Sequence, residues 1–361
     1  MAVCIKGTGE EGVEEMGKIL FQCDYNEGAH PKILERLAAT NLEQTVGYGE
    51  DEYCKQAASL IRKRCQDETL DVHFLVGGTQ TNATLIDAAL RSHQGVLCAD
   101  TGHINVFETG AVEAMGHKVL PLPGKEGKLS ADQIEAAWKE HGGNVHMVQP
   151  GMVYLSNPTE LGTVYSQAEL TQISDVCHRC GLFLYLDGAR LGYGLMAPEN
   201  DLTLPVITSL CDAFSIGGTK VGALFGEALV IRDPVLKRDF RYFMKQKGAM
   251  LAKGRLLGIQ FLTLFEDGLY ESIAADAIRL AERLRNAFRE NGYPFLVESG
   301  TNQIFVVLPD EELEKLSEAF GFEWERRIDA THSAVRFCTS WATREENVAK
   351  LEEALRGLKQ K

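Results

Sequence analysis

From about residue 70 the chain alternates short, nearly all-apolar runs with stretches of helical periodicity, and this alternation constrains the fold more than any other feature. The runs are DVHFLV (71–76), GVLCAD (95–100), HKVLPL (117–122), VHMVQP (145–150), LFLYL (182–186), AFSI (213–216) and EALVI (227–231). Strands this short and this apolar are covered on both faces, so βαβ units and a mostly parallel sheet are expected. Between them, QTNATLIDAALRSH carries Leu85, Ile86, Ala89 and Leu90 at helical spacing, and NVFETGAVEAMG reads as helical. Ser130 with Gln133, and Ser166 with Glu169, are capping boxes that open two further helices, and Gly181 closes the second. After about residue 255 the pattern shifts to long helical stretches followed by TNQIFVVLP and AVRFCTSW, the pattern of a smaller α+β unit. The expected division is an N-terminal segment, 1–46, packed beside the small unit; a large domain, 47–254; and a small C-terminal domain, 255–361.

Bulk properties narrow the function. Of 361 residues 45% are hydrophobic, enough for a sizeable core, and the formal net charge is -14. A surface that acidic repels phosphate backbones and anionic lipid, so neither nucleic acid nor membrane is an expected partner. No stretch reaches eighteen uninterrupted apolar residues, and the opening MAVCIKGTGEEGVEEMGKIL has no apolar signal core. Nine cysteines, an odd number scattered through the elements, read as reduced thiols of a cytoplasmic protein. Cys177 and Cys180 in CHRC lack a second ligand pair, and no metal site is expected.

Ligands of an open parallel sheet sit beyond the carboxyl ends of its strands. Three such ends here carry chemistry. After HFLV comes GGTQTN, in which Gly77 and Gly78 allow close backbone approach and Thr79 adds a hydroxyl at a helix start, a cradle for an anion. After LFLYL come Asp187 and Arg190, and after AFSI comes GGTK, ending in Lys220. Singly each has an ordinary explanation as a cap, a turn or a surface charge. GGTK is not a phosphate-binding P-loop, since Val221 stands where a Ser or Thr is required. Together they suit pyridoxal phosphate, which needs an amine for a Schiff base, an anion cradle and a carboxylate facing its pyridine nitrogen.

These residues resemble the threonine aldolases, within the β-eliminating lyase group of fold-type-I pyridoxal-phosphate enzymes. The resemblance rests on VGYGEDEYCKQA (46–57), FLVGGTQTNATL (74–85), ADTGHINVFETGA (99–111), LYLDGARLG (184–192), CDAFSIGGTKVGALFGEALV (211–230), KGAMLAKGRLLG (247–258) and AVRFCTSW (334–341). It implies an α/β fold with a mostly parallel seven-stranded sheet plus the small α+β domain. It implies cleavage of L-threonine or L-allo-threonine to glycine and an aldehyde, with the cofactor held covalently by Lys220. Asp187 would face the pyridine nitrogen, His103 would stack on the ring, and Gly78 and Thr79 would hold the phosphate, with Thr219 alongside. Arg190 and Arg336 would clamp the substrate carboxylate. Tyr48 would stand near the site at a dimer interface, and Lys245 or Lys247 of a neighbouring subunit would reach the phosphate. A homodimer or homotetramer follows from the same resemblance.

Two departures bear on the chemistry. Many threonine aldolases carry a histidine where this chain has Thr159 and Glu160, in LSNPTELGTVY (155–165), and GGT replaces the usual residues before the lysine. The base for the substrate hydroxyl is therefore Glu160, His103, a water held by either, or His30 of EGAHP (27–31). The altered segment keeps β-elimination or transamination on the same fold as the alternative, and a cofactor-free binding protein is the rival of a different class.

Overall fold

A computed structural model of the protein describes residues 17–359. Its strands, in chain order, are β1 Ile19–Leu20, β2 Asp71–Leu75, β3 Gln94–Ala99, β4 Lys118–Leu122, β5 Gln149–Ser156, β6 Phe183–Asp187, β7 Ala213–Gly217, β8 Glu227–Ile231, β9 Phe295–Val297, β10 Gln303–Pro309, β11 Phe320–Gly321, β12 Glu323–Arg327 and β13 His332–Cys338. The central sheet has seven strands in the order β2-β8-β7-β6-β5-β3-β4. Every pairing from β7 to β4 is parallel, while β8 runs antiparallel to both its neighbours. Residues 218–226 are too short a link for a crossover helix, so the chain turns straight back and β8 lies beside β7 in the opposite sense. Lys220 rides on that turn.

One face of the sheet packs against the helices Glu52–Cys65, Gln167–Cys180 and Arg255–Glu266, through residues such as Ile61, Leu170, Leu184, Phe214 and Phe261. The other face, through Val96, Tyr154, Tyr185 and Leu229, meets the helix Gly78–Ala89 and the segment around Phe240 and Met244. A separate core, with Leu284, Phe288, Val306, Val335, Phe337 and Leu351, lies under the antiparallel sheet β12-β13-β10-β9. β1 pairs in parallel with β11, and Phe21 enters this third core. The helix Pro31–Ala39, by contrast, packs on Arg255–Glu266, which itself serves the large core. The first described residues thus tie the two units together.

Both capping boxes form, at Ser130/Gln133 and Ser166/Glu169, and Gly181 closes its helix in the left-handed conformation. Two expectations shift. The apolar run VHMVQP is not the strand: β5 starts at Gln149, and Val145 is 91% exposed. The inward alternation continues instead through Met152, Val153, Tyr154 and Leu155. NVFETGAVEAMG is not one helix either. It is two single turns, His103–Val106 and Ala111–Ala114, separated where Thr109 and Gly110 both take positive φ.

Gly258 shows how close two of these helices lie. A Cβ there would sit 2.5 Å from the Cys54 backbone nitrogen and 2.6 Å from its sulfur. Gly258→Ala is therefore expected to destabilise the fold by about 1–3 kcal/mol through overpacking, read as a lowered urea midpoint; an unchanged midpoint would show that the helices separate freely.

Candidate active site

At the carboxyl edge of the sheet, β2, β6 and β7 deliver their terminal residues to one cavity of about 340 Å³. Its wall includes Gly77, Gly78, Thr79, Asn82, His103, Ser156, Glu160, Asp187, Arg190, Thr219, Lys220 and Glu227. A second cavity, of about 840 Å³, adjoins it through Tyr25, His103, Glu160, Arg190 and Lys220, and extends to Arg336 and β12. The structure thus brings together Lys220, Asp187, His103, Glu160, Gly78, Thr79, Thr219 and Arg190, with Arg336 at the mouth.

Asp187 ends β6 almost fully buried, and its carboxylate is correspondingly well supplied with donors. Oδ2 accepts from Asn82 Nδ2 at 2.9 Å and Tyr154 OH at 2.7 Å, and Oδ1 from the Ala189 amide at 2.9 Å. Gly188 is required next, because a Cβ there would collide with the Ser215 carbonyl. A carboxylate buried with such partners keeps its geometry.

His103 opens its single helical turn at the cavity rim. Its Nδ1 lies 2.8 Å from Glu108 Oε1, the same oxygen that accepts from Asn82 Nδ2 at 2.8 Å. Asn82 therefore bridges the partner of His103 to Asp187, and its own Oδ1 accepts from Tyr185 OH at 2.8 Å. The break in the helix after Val106 is what lets Glu108 turn under the imidazole. On the opposite side, Glu160 Oε1 accepts from the His103 amide at 2.7 Å and from Ser156 Oγ at 2.6 Å. Burial raises the Glu160 carboxyl above its ordinary range, with repulsion from Asp187 adding to it and the Ser156 and amide hydrogen bonds opposing.

Lys220 faces the cavity with no ion-pair partner among the described residues. Burial, then the nearby Arg190 guanidinium, lowers its pKa, against the pull of Asp24, Glu227 and Asp187. A lysine so placed is more readily neutral and nucleophilic. Thr219 beside it accepts the Gly226 amide at 3.0 Å, which fixes the turn.

Arg190 is engaged otherwise than as a free carboxylate clamp. Its Nε and Nη2 grip the fully buried Asp24 at 2.6 and 3.0 Å, and Asn302 Nδ2 adds a bond to the same carboxylate at 2.9 Å. Burial alone would raise Asp24, but Arg190, Lys220 and these hydrogen bonds outweigh it, and its carboxyl sits below the usual range. Arg336 is less committed. Nη2 donates to the Gln22 carbonyl at 3.3 Å, Nη1 stands 3.6 Å from Glu325, and the buried Nε has no partner. His30 and Tyr48 are not in either cavity wall. His30 Nδ1 accepts the Lys32 amide as a helix cap beside Trp341, and Tyr48 lies under Lys245 Nζ, 4.6 Å from its ring. Lys247 is bound to Asp87 at 2.8 Å.

Several members of the site escaped the sequence reading: Asp24, Asn82, Glu108, Tyr154 and Glu227. Asn82 had a signal, a polar residue on the buried face of an otherwise apolar helix, and so did Glu227, an acid opening the run EALVI. Asp24 and Glu108 had none, since only the tertiary fold sets them beside Arg190 and His103.

An open, mostly parallel sheet whose carboxyl edge presents a lysine, a caged carboxylate and a glycine-led helix start is the arrangement of the fold-type-I pyridoxal-phosphate enzymes. Residues 23–311 match the beta-eliminating lyase family, and the chain belongs to that pyridoxal-phosphate-dependent family of lyases. A low-specificity L-threonine aldolase from a Pseudomonas species is 31% identical over 346 residues, 94% of this chain and 97% of that protein. The structure of a Leishmania major threonine aldolase is 43% identical with a TM-score of 0.93, covering 94% of this chain and 99% of that one. A Thermus thermophilus aspartate aminotransferase double mutant, 14% identical with a TM-score of 0.69 over 98% of this chain and 97% of that one, shares the fold alone.

The residues present fit the cofactor. A Cβ built on Gly77 or Gly78 meets nothing within 4 Å, so the start of the Gly78–Ala89 helix is open, and Gly77 gives it no side-chain cap. The first-turn amides and the exposed Thr79 are left for an anion. Asp24→Asn, which strands Arg190, is expected to cost about 3–5 kcal/mol of stability. Because the Asp24 carboxyl is depressed, that contribution is present at neutral pH and lost as pH falls through its folded-state value. Denaturant melts of both forms at neutral and acid pH check this, and equal stability at neutral pH would remove the pair from the account.

Proposed function

We propose that the protein cleaves the Cα–Cβ bond of L-threonine and L-allo-threonine, releasing glycine and acetaldehyde, with pyridoxal phosphate held covalently through Lys220. The observation that carries this reading is the convergence of Lys220, Asp187 and the Gly77–Thr79 turn on one cavity wall. Relatives named as threonine aldolases support the choice of reaction. When bound, the cofactor supplies an electron-withdrawing ring that accepts the electrons of the breaking bond.

Asp187, fixed by Asn82, Tyr154 and the Ala189 amide, would face the pyridine nitrogen. Gly78 and Thr79 hold the phosphate. His103, steered by Glu108, covers the ring from the cavity rim. Arg336, with an unpartnered Nε, takes the substrate carboxylate, and Arg190, braced by Asp24, shapes the pocket beside it. Fixing that carboxylate would fix the orientation of the bonds at the substrate Cα. Glu160 receives the β-hydroxyl proton. Its Oε1 is occupied by Ser156 and the His103 amide, and its upward shift moves it toward the pH at which a general base works best. Glu160 thus does the work of the absent histidine, and His30 has no part in it.

The assembly is a homodimer or homotetramer. Val46, Tyr48 and Tyr242 expose apolar surface around one hollow with Lys245, and Lys245 rather than the ion-paired Lys247 is free to reach a neighbouring phosphate. A cytoplasmic location is inferred from the free thiols among the described cysteines.

Purified protein with pyridoxal phosphate should release acetaldehyde and glycine in equal amounts from either threonine. 2-Oxobutanoate and ammonia instead would move the assignment to β-elimination, and no product from cofactor-loaded protein would end it. Lys220→Ala should abolish turnover and the borohydride-fixed label on the protein. Glu160→Gln should lower kcat by about 10²–10⁴ with little change in KM, whereas Arg336→Ala should act mainly on KM; the reverse split would exchange their roles. Light scattering that finds only monomer would refute the shared assembly.

A further inference from the structure

Among the acids of the site, Glu227 has no role in the scheme above, and its placement is unusual. It is the first residue of β8, and its Cα partners are Gly217 at the end of β7 and Leu75 at the end of β2. It therefore stands between the strand that leads to Gly218–Thr219–Lys220 and the strand that leads to the Gly77–Thr79 cradle. Its side chain belongs to the wall of the smaller cavity together with Gly78, Thr79, Lys220 and Asp187. The residue is 3% exposed, and its Oε2 is buried without a hydrogen-bond partner.

A buried carboxyl oxygen lacking a partner at a cradle built for an anion poses an electrostatic problem. As a carboxylate it would repel a phosphate dianion in a low-dielectric cavity; as a carboxylic acid it can donate to one. We propose that Glu227 is kept as a neutral carboxylic acid and donates a hydrogen bond to the cofactor phosphate seated on Gly78 and Thr79. This rests on the pyridoxal-phosphate reading. The surroundings agree with a neutral state. Burial raises the Glu227 carboxyl well above its ordinary range, Asp187 on β6 adds repulsion, and Lys220 and a Thr219 hydrogen bond oppose only in part. The other titratable groups facing it, Tyr185 of β6 and Tyr270 of the helix Leu269–Glu290, are raised by burial and stay neutral.

Cofactor affinity then depends on pH through the phosphate. The second phosphate ionisation, near about pH 6, is complete at neutral pH and drops out of the comparison on the alkaline side. The dissociation constants of pyridoxal phosphate and pyridoxal, which lacks the phosphate, are measured for apoprotein from neutral to alkaline pH. Lys220 and Asp187 act on both compounds and cancel in the ratio. The ratio should show pyridoxal phosphate losing its advantage, approaching about tenfold per pH unit once Glu227 ionises. Glu227→Gln, still a donor but unable to ionise, should hold the ratio flat, and the phosphorus resonance of bound cofactor should become independent of pH. A wild-type ratio that does not change with pH, or a Gln variant that follows the wild type, overturns the proposal. Failure of both compounds to bind would overturn the cofactor reading itself, and this inference with it.

Discussion

Burying the carboxylate of Asp187 is the constraint around which the rest of the site is arranged. An uncompensated charge at that depth would be prohibitive, so donors must arrive from several elements at once. Tyr154 comes from β5, Ala189 from the turn after β6, and Asn82 from the helix that follows β2. Those same groups reach outward. Asn82 also holds Glu108, Glu108 holds His103, and Ser156 lies 3.1 Å from Tyr154 OH while bonding Glu160. The hydrogen bonds close a ring from the floor of the cavity to its rim, so the orientations of the imidazole and of both acids are set together. Satisfying one buried charge thus organises the groups that line the cavity.

The charge balance explains much of what surrounds that ring. Asp24, Glu108, Glu160, Asp187 and Glu227 crowd about two fixed cations, Arg190 and Lys220. A cavity of low dielectric cannot keep all five acids ionised and unpaired. The protein meets this in three ways. Asp24 is cancelled by a two-point contact with Arg190, Asp187 is caged by donors from Asn82, Tyr154 and the Ala189 amide, and Glu160 and Glu227 are pushed upward by burial. Arg190 is fixed in the process, which leaves Arg336 on β13 the less committed of the two arginines. Arg336 comes from β13 of the small sheet and Arg190 follows β6 of the large one, and both line the larger cavity.

How legible this was depends on whether the information is local. Lys220, Asp187 and Gly78–Thr79 could be named in advance because each ends an apolar strand, and strand ends of a parallel sheet converge on one edge. The capping boxes were legible for the same reason, as their partners lie three residues apart. Where two local signals competed, the reading slipped. VHMVQP looks as apolar as GMVYLS, but only the latter alternates into the two cores, and NVFETGAVEAMG is broken by two left-handed residues that helical periodicity does not register. His30 seemed available for substrate from its type alone, and the fold spends it on a helix cap beside Trp341.

The order of strands and helices, the mostly parallel sheet and the residues that end its strands at one edge were determined by the sequence itself, because burial periodicity and turn chemistry act over a few residues. Tertiary structure alone decided which acids are paired, which are pushed upward by burial and which arginine is the less committed. Asp24 meets Arg190 across 166 positions, and Asn82 meets Asp187 across 105. The charge state of a buried group is set by what surrounds it in space, and nothing in a residue's own neighbourhood along the chain encodes that.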